Sequence, residues 1–123
     1  MMTPTIERAD HWTAEISFAL AGTGTHVTTE PGTAAGALAD GKAVAILQPP
    51  ALEFPTWDNT TAEWELYLAA GPFQDARQAW GVLDDLIHRL ATPLALESAK
   101  PANFSVPSGT DYPAYVLTFT DAF

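Results

Sequence analysis

The sequence contains no cysteine and only five lysine and arginine residues in 123 positions. Without cysteine there can be no disulfide, no zinc–cysteine site and no thiol chemistry, so stability must come from packing. Fifteen acidic residues give a net charge of −10, with seven acidic and two basic residues in 1–60 and eight and three in 61–123. Because nucleic-acid affinity depends on clustered cations that neutralise phosphates, this even negative charge argues against specific DNA or RNA binding.

Long apolar runs are also missing. No segment approaches the roughly 20 apolar residues that a membrane-spanning helix needs, and residues 1–12 lack the basic start, apolar stretch and cleavage site of a secretory signal. We therefore expect a soluble protein that is made in a cytoplasm and binds no membrane. The length and the 47% hydrophobic content predict a single domain spanning residues 1–123.

The clearest predicted element is an amphipathic helix over residues 73–90. Its apolar positions recur at helical spacing and include Ala79, Trp80, Leu83, Leu86 and Leu90. The intervening charged residues are expected to face solvent, and Pro93 is expected to end the helix. This pattern places Trp80 in the core.

Alternation of apolar and polar residues predicts strands over residues 62–68 and 115–120, and places Trp64 in the core. A short apolar run at 43–47 predicts a strand buried on both faces. Residues 104–106 are expected to pair with the last strand, and residues 26–29 to form another short strand.

The N-terminal segment fits both a strand and a helix, because Trp12 and Ile16 satisfy either period. We favour a helix, since Pro4 suits a first turn and Gly22 a stop. Residues 30–42 and 49–61 are predicted to be long loops. The predicted fold class is therefore α+β, with a mostly antiparallel sheet of about five strands and two helices packed on one face.

A search for chemistry yields no catalytic residue, no cofactor site and no metal site. The three histidines stand apart, the acidic pairs Asp84–Asp85 and Glu63–Glu65 resemble solvated surfaces, and the glycines of residues 21–25 lack a phosphate-binding pattern. Three aromatic residues in predicted loops are more informative. Phe54, Trp57 and Tyr112 are candidate protein-interface residues, because a large apolar side chain in a loop either covers the core or contacts a partner.

Three segments together carry a resemblance to a known family. They are residues 48–54 (QPPALEF), residues 61–72 (TAEWELYLAAGP) followed by the amphipathic helix, and residues 113–120 (PAYVLTFT). In this order they resemble the tail-terminator, or tail-completion, proteins of siphophages that infect actinobacteria.

The resemblance implies a structural virion protein without enzymatic activity or cofactor. Such a subunit self-associates into a ring, usually a hexamer, on the tail tube protein at the head-proximal end of the phage tail. The ring ends tube polymerisation and gives the head-completion and neck proteins a docking surface, while genomic DNA passes through its channel.

Two other interpretations remain open. The chain could be another neck component, such as a head-closure or adaptor protein, which differs from a terminator only in its position in the virion. It could instead be a small ligand-binding or enzymatic α+β domain with a pocket between the Trp64 sheet face and the helices.

Overall fold

The structure is a computed structural model that describes residues 3–71, 76–106, 109 and 111–123. The helices within these residues are α1 (Pro4–Ala19), α2 (Ala34–Ala39), which follows a 3₁₀ turn at Pro31–Thr33, and α3 (Ala76–Leu94). The strands are β1 (His26–Thr28), β2 (Val44–Leu47), β3 (Ala51–Thr56), β4 (Asn59–Ala69), β5 (Ser98–Ser105) and β6 (Asp111–Ala122).

The six strands form one mixed sheet in the order β1-β2-β4-β6-β5, with β3 paired to β4. The β1–β2 pair is parallel and the other pairs are antiparallel. Since β6 pairs with β4 along nearly its whole length, β3 must lie on the same side of β4 as β2.

The predicted mostly antiparallel sheet of about five strands with two helices on one face is therefore wrong, because the described residues form a mixed sheet of six strands and three helices, although the α+β class agrees. Both segments predicted to be loops contain regular structure: residues 30–42 include α2, and residues 49–61 include β3. Neither carries an amphipathic period of its own. The short helix is held because Ala34 and Leu38 are fully buried against the sheet.

The helices lie on both faces of the sheet. α1 and α3 cover the face that presents Ala45, Trp64, Leu66 and Phe119. The other face is covered at one end only, where α2 packs on a smaller cluster: Val44, Ile46, Ala69, Tyr112 and Ala114. β2 is buried on both faces for this reason, as predicted. Beyond α2, this second face presents the exposed Glu63 and Glu65 to solvent.

Pro49 and Pro50 separate β2 from β3. The Gln48 N–H donates to the Glu65 carbonyl at 3.0 Å, and Ala51 pairs with Glu63. The two prolines therefore stand opposite the single residue Trp64, as in a β-bulge. Because proline has no N–H to continue the ladder, the chain bends here and enters β3.

The N-terminal helix is confirmed. Thr3 caps α1 by accepting a hydrogen bond from the Ile6 N–H at 3.2 Å, and Pro4 occupies the first turn.

The helix is attached to the end of β6 through Asp121, whose carboxylate accepts hydrogen bonds from Arg8 Nε at 2.8 Å and Trp12 Nε1 at 3.0 Å. Burial alone would raise the pKa of Asp121, but these donors and the Arg8 charge outweigh it and lower the pKa.

α3 differs from its prediction in two ways. Trp80 is 59% exposed, because the buried stripe consists of Ala79, Leu83, Leu86, Leu90 and Leu94, and Trp80 lies on its flank. Pro93 lies inside the last turn and does not end the helix. The end is formed by Ala95, which has a φ of 49°, and by the Leu96 N–H, which donates to the Ala91 carbonyl. The predicted start at residues 73–75 lies outside the described residues.

Substitutions at Leu83 and Asp84 test which side of α3 faces the core. Leu83→Asp places an unpaired carboxylate in the core and should reduce the free energy of unfolding by several kcal/mol, whereas the exposed change Asp84→Asn should alter it by less than about 0.5 kcal/mol. Chemical denaturation of both variants measures the difference. Similar unfolding midpoints and slopes would contradict this packing.

Asp121 should contribute a pH-dependent part of the stability. Asp121→Asn is expected to cost about 1–3 kcal/mol at neutral pH, because the Arg8 charge loses its acceptor. Since the folded-state pKa is lowered, this stabilisation is present above about pH 4 and is lost as the pH falls through the lowered pKa. Denaturation curves of both proteins should therefore converge at acid pH. Asp85→Asn, which removes an exposed pair with Arg89, is the control and should have little effect. A gap that persists unchanged at acid pH would exclude this role for Asp121.

Candidate interaction surface

The three histidines lie on three different elements, α1, β1 and α3. His26 Nε2 lies 3.0 Å from Thr33 Oγ1, His88 is exposed beside Asp84 on α3, and His11 contacts the edge of the Trp12 ring. Across the described part of the chain, no group of three histidine or carboxylate side chains could hold a metal ion. Geometry thus supplies no starting point for a metal-dependent mechanism among these residues.

The acidic pairs lie on the surface. Asp84 and Asp85 are exposed on α3 and contact His88 and Arg89 one turn later. Glu63 and Glu65 are exposed on β4. Neither pair has one member buried and the other solvated, the difference that divides acid and base roles between two carboxylates.

Residues 51–59 form a projecting turn of sheet that we call the aromatic hairpin. β3 is exposed at every position. Phe54 is 69% exposed and Trp57 is 97% exposed. The tip is ordered by Thr56, whose hydroxyl donates to Asp58 Oδ1 at 2.9 Å. Phe54 lies in a strand and Trp57 in the turn after it, so the prediction of a long loop here is wrong, but both side chains reach solvent.

Tyr112 does not belong with them. It lies in β6, pairs with Phe104 and is 8% exposed, where it packs in the cluster beneath α2. Its predicted place in a loop is wrong. Residues 111–113 read as a break because Pro113 follows, yet only tertiary pairing with β5 makes them part of a strand. Tyr112 contributes to the core and presents little surface to a partner.

A shallow groove lies at the other end of the sheet, and we call it the glycine groove. It has a volume of about 630 Å³ and is lined by the turn after α1 (residues 22–25), the segment that precedes β2 (residues 41–43) and one side of α3, namely Gly81, Val82, Asp85, Leu86 and Arg89. Gly22, Gly24 and Gly41 have positive φ and form its turns.

The glycine groove collects scarce positive charge. Lys42 and Arg89 line it, two of the five basic residues of the chain. Arg89 is paired with Asp85 at 3.0 Å, whereas no ion pair among the described residues includes Lys42. No sequence motif predicts this groove. The available signal was the rarity of Lys and Arg, but residues 23, 42 and 89 are brought together only by the fold.

A smaller cleft of about 230 Å³ lies between α1 and the proline bulge. It is bounded by Ile6, Ala9, Leu47, Pro50 and Trp64. Trp64 is 1% exposed, and its Nε1 has no hydrogen-bond partner among the residues that the structure describes. The ligand-binding alternative predicts a pocket at this location, between the Trp64 face of the sheet and the helices.

Comparisons with known proteins do not assign the chain. No protein-family model matches it, and no curated protein matches its sequence. Among the described residues, no helix is both long and apolar enough to cross a membrane.

Metals and nucleotides should leave thermal stability unchanged. A ligand that binds only the native state raises the melting temperature once its free concentration exceeds its Kd, and the described residues offer no three-ligand cluster. Thermal scans with zinc, magnesium or ATP at increasing concentration are therefore expected to superimpose. A saturable upward shift with any of the three would contradict this and favour the ligand-binding alternative.

Proposed function

We propose that this protein is a structural subunit that forms a ring on the end of a phage tail tube, stops tube polymerisation and provides a docking surface for neck proteins. The observation that carries the proposal is the aromatic hairpin. The turn presents Phe54 (69% exposed) and Trp57 (97% exposed) to water, and exposed aromatic side chains of this kind serve as anchors in protein interfaces.

The hairpin also favours side-chain contact over strand addition. Pro55 removes a donor from the free edge of β3, and the register shifts between Glu53 and Thr56. Proline and irregular register are devices that prevent open-ended pairing of sheet edges. A partner would therefore be recognised by the aromatic side chains, which suits a ring of fixed size better than a growing sheet.

The net charge of −10 is consistent with a channel for DNA. Several copies around a common axis would surround a polyanion with negative charge and so would not retain it. The exposed Glu63 and Glu65 on the uncovered sheet face are suited to such a surface.

A second candidate function rests on the cleft beside Trp64. An indole N–H that is buried without an acceptor costs free energy unless a bound group satisfies it. A small apolar ligand with an acceptor atom would fit that description. The volume of the cleft, about 230 Å³, lies below the usual range for ligand pockets, which begins at roughly 300 Å³, so we place this function second.

Replacing the hairpin aromatics tests the first proposal. The double variant Phe54→Ser, Trp57→Ser should keep the wild-type melting temperature, because both side chains are solvated in the subunit. Particles assembled with it should show unjoined heads or tails of uncontrolled length, as seen by electron microscopy.

The matched control is Phe18→Ser, Trp80→Ser. It removes the same two residue types from exposed positions on α1 and α3, where Phe18 is 84% and Trp80 is 59% exposed. Particles with the control variant should have normal tails. Normal tails with the hairpin variant would remove the hairpin from the assembly, and a large loss of melting temperature in that variant would show that it supports the fold instead.

A further inference from the structure

We infer that the glycine groove of one copy receives the aromatic hairpin of the next copy. The inference deepens the proposed function, on which it rests for the closed ring, by naming both sides of the seam between subunits. The contact itself requires only that copies of this chain associate.

Charge favours this pairing. The hairpin carries Glu53 and Asp58 on either side of its aromatics and no basic residue. The lining of the groove includes Lys42, Arg89 and the acid Asp85. Because Asp85 pairs with Arg89, Lys42 is the cation of this lining that is available to an acidic partner. Complementary charge at a contact selects the partner and suppresses alternatives. The acidic, aromatic hairpin is therefore expected to bind at this groove, because the rest of a neighbouring copy is acidic and repels it.

Shape favours it as well. The groove floor is apolar, with Ala43, Val82 and Leu86 among its residues. Gly81 lies within α3, and a Cβ added there would meet no atom within 4 Å. A glycine inside a helix weakens it relative to alanine, and packing does not require this one. Its effect is to keep the wall of the groove low, which leaves room for a large side chain.

The two surfaces lie at opposite ends of the subunit. The hairpin turn directly precedes β4, whereas the groove includes Ala43, next to the Val44 that pairs with Ala69 at the far end of β4. The 11 residues of β4 separate these ends by roughly 35 Å. A hairpin therefore cannot reach its own groove, and contacts between unlike surfaces generate rings or filaments.

The size of the contact explains why closure matters. Two aromatic side chains bury roughly 300–500 Å² between them, about half of what one partner contributes to a stable interface. A single contact of this kind is weak. In a closed ring the last contact forms between subunits that are already joined. This contact is effectively intramolecular, so the ring is more stable than an open chain of the same subunits although each interface is the same.

A charge exchange tests the seam directly. Lys42→Glu and Glu53→Lys each place like charges together, so each should weaken self-association by at least about tenfold. The double variant Lys42→Glu, Glu53→Lys recreates opposite charges at every seam and should return to near the wild-type value. Sedimentation velocity over a range of protein concentrations measures this, at an ionic strength where the Debye length is about 8 Å and long-range repulsion is screened.

The matched control is Lys100→Glu, which makes the same change in charge on β5, outside the groove. An effect equal to that of Lys42→Glu would mean that net charge alone acts, and would overturn the inference. Failure of the double variant to recover would overturn it too. Gly81→Leu supplies an uncharged test, since it fills the groove with a good helix former and should abolish association while the melting temperature is retained.

A cysteine-free chain permits a final test by crosslinking. Copies with Asn59→Cys mixed with copies with Thr25→Cys, at millimolar concentration with a short bismaleimide, should join mainly as unlike pairs, because the exposed Asn59 lies in the hairpin and Thr25 lines the groove. Like pairs, or no crosslink, would overturn the inference.

The terminator function and the seam between hairpin and groove can be rejected independently of each other. Groove-dependent association with no effect on tails would reject the terminator function and keep the seam. Normal tails assembled with Gly81→Leu would reject the seam and keep the function.

Discussion

The β4–β6 ladder is the constraint on which the rest of this structure depends. Nine consecutive residue pairs join the two strands, and the rings of Trp64 and Phe119 stack on the face beneath α1. With one edge occupied by β6, β4 has a single edge left for both β2 and β3. The bend at Pro49 and Pro50 lets one stretch of chain pair with that edge twice, first as β2 and then as β3, and every residue of β3 is exposed.

The same arrangement separates stability from recognition. Helices α1 and α3 cover one face, and α2 covers only the end of the other, so the apolar core lies toward the middle and far end of β4. The hairpin at its beginning contributes no buried residue, since all of β3 is exposed. Changes at Phe54 or Trp57 can therefore alter association without altering the fold. Two of the five basic residues, Lys42 and Arg89, line one groove, and under the proposed self-association they would oppose the general repulsion between acidic copies.

Sequence patterns succeeded wherever a single face of an element decides burial. The alternation around Trp64 and the helical stripe through Leu83 and Leu90 identified buried residues correctly. The same stripe wrongly placed Trp80 in the core. A residue at the flank of the apolar face fits the helical period whether or not another element packs over it. Tyr112 and α2 were missed for the opposite reason. They have little local signal, and their burial results from packing on the less covered face of the sheet.

The sequence by itself determined the class of the fold, the absence of thiol chemistry, the acidic character and the two aromatic residues available to a partner, since these depend on residue type and short-range period. Tertiary structure alone decided that Phe54 and Trp57 lie in a projecting hairpin and that Lys42 meets Arg89 across a groove. Residues 47 positions apart come together through sheet order and helix packing. Sheet order and helix packing depend on which apolar surfaces bury each other away from water. No local pattern along the chain specifies those pairs of surfaces.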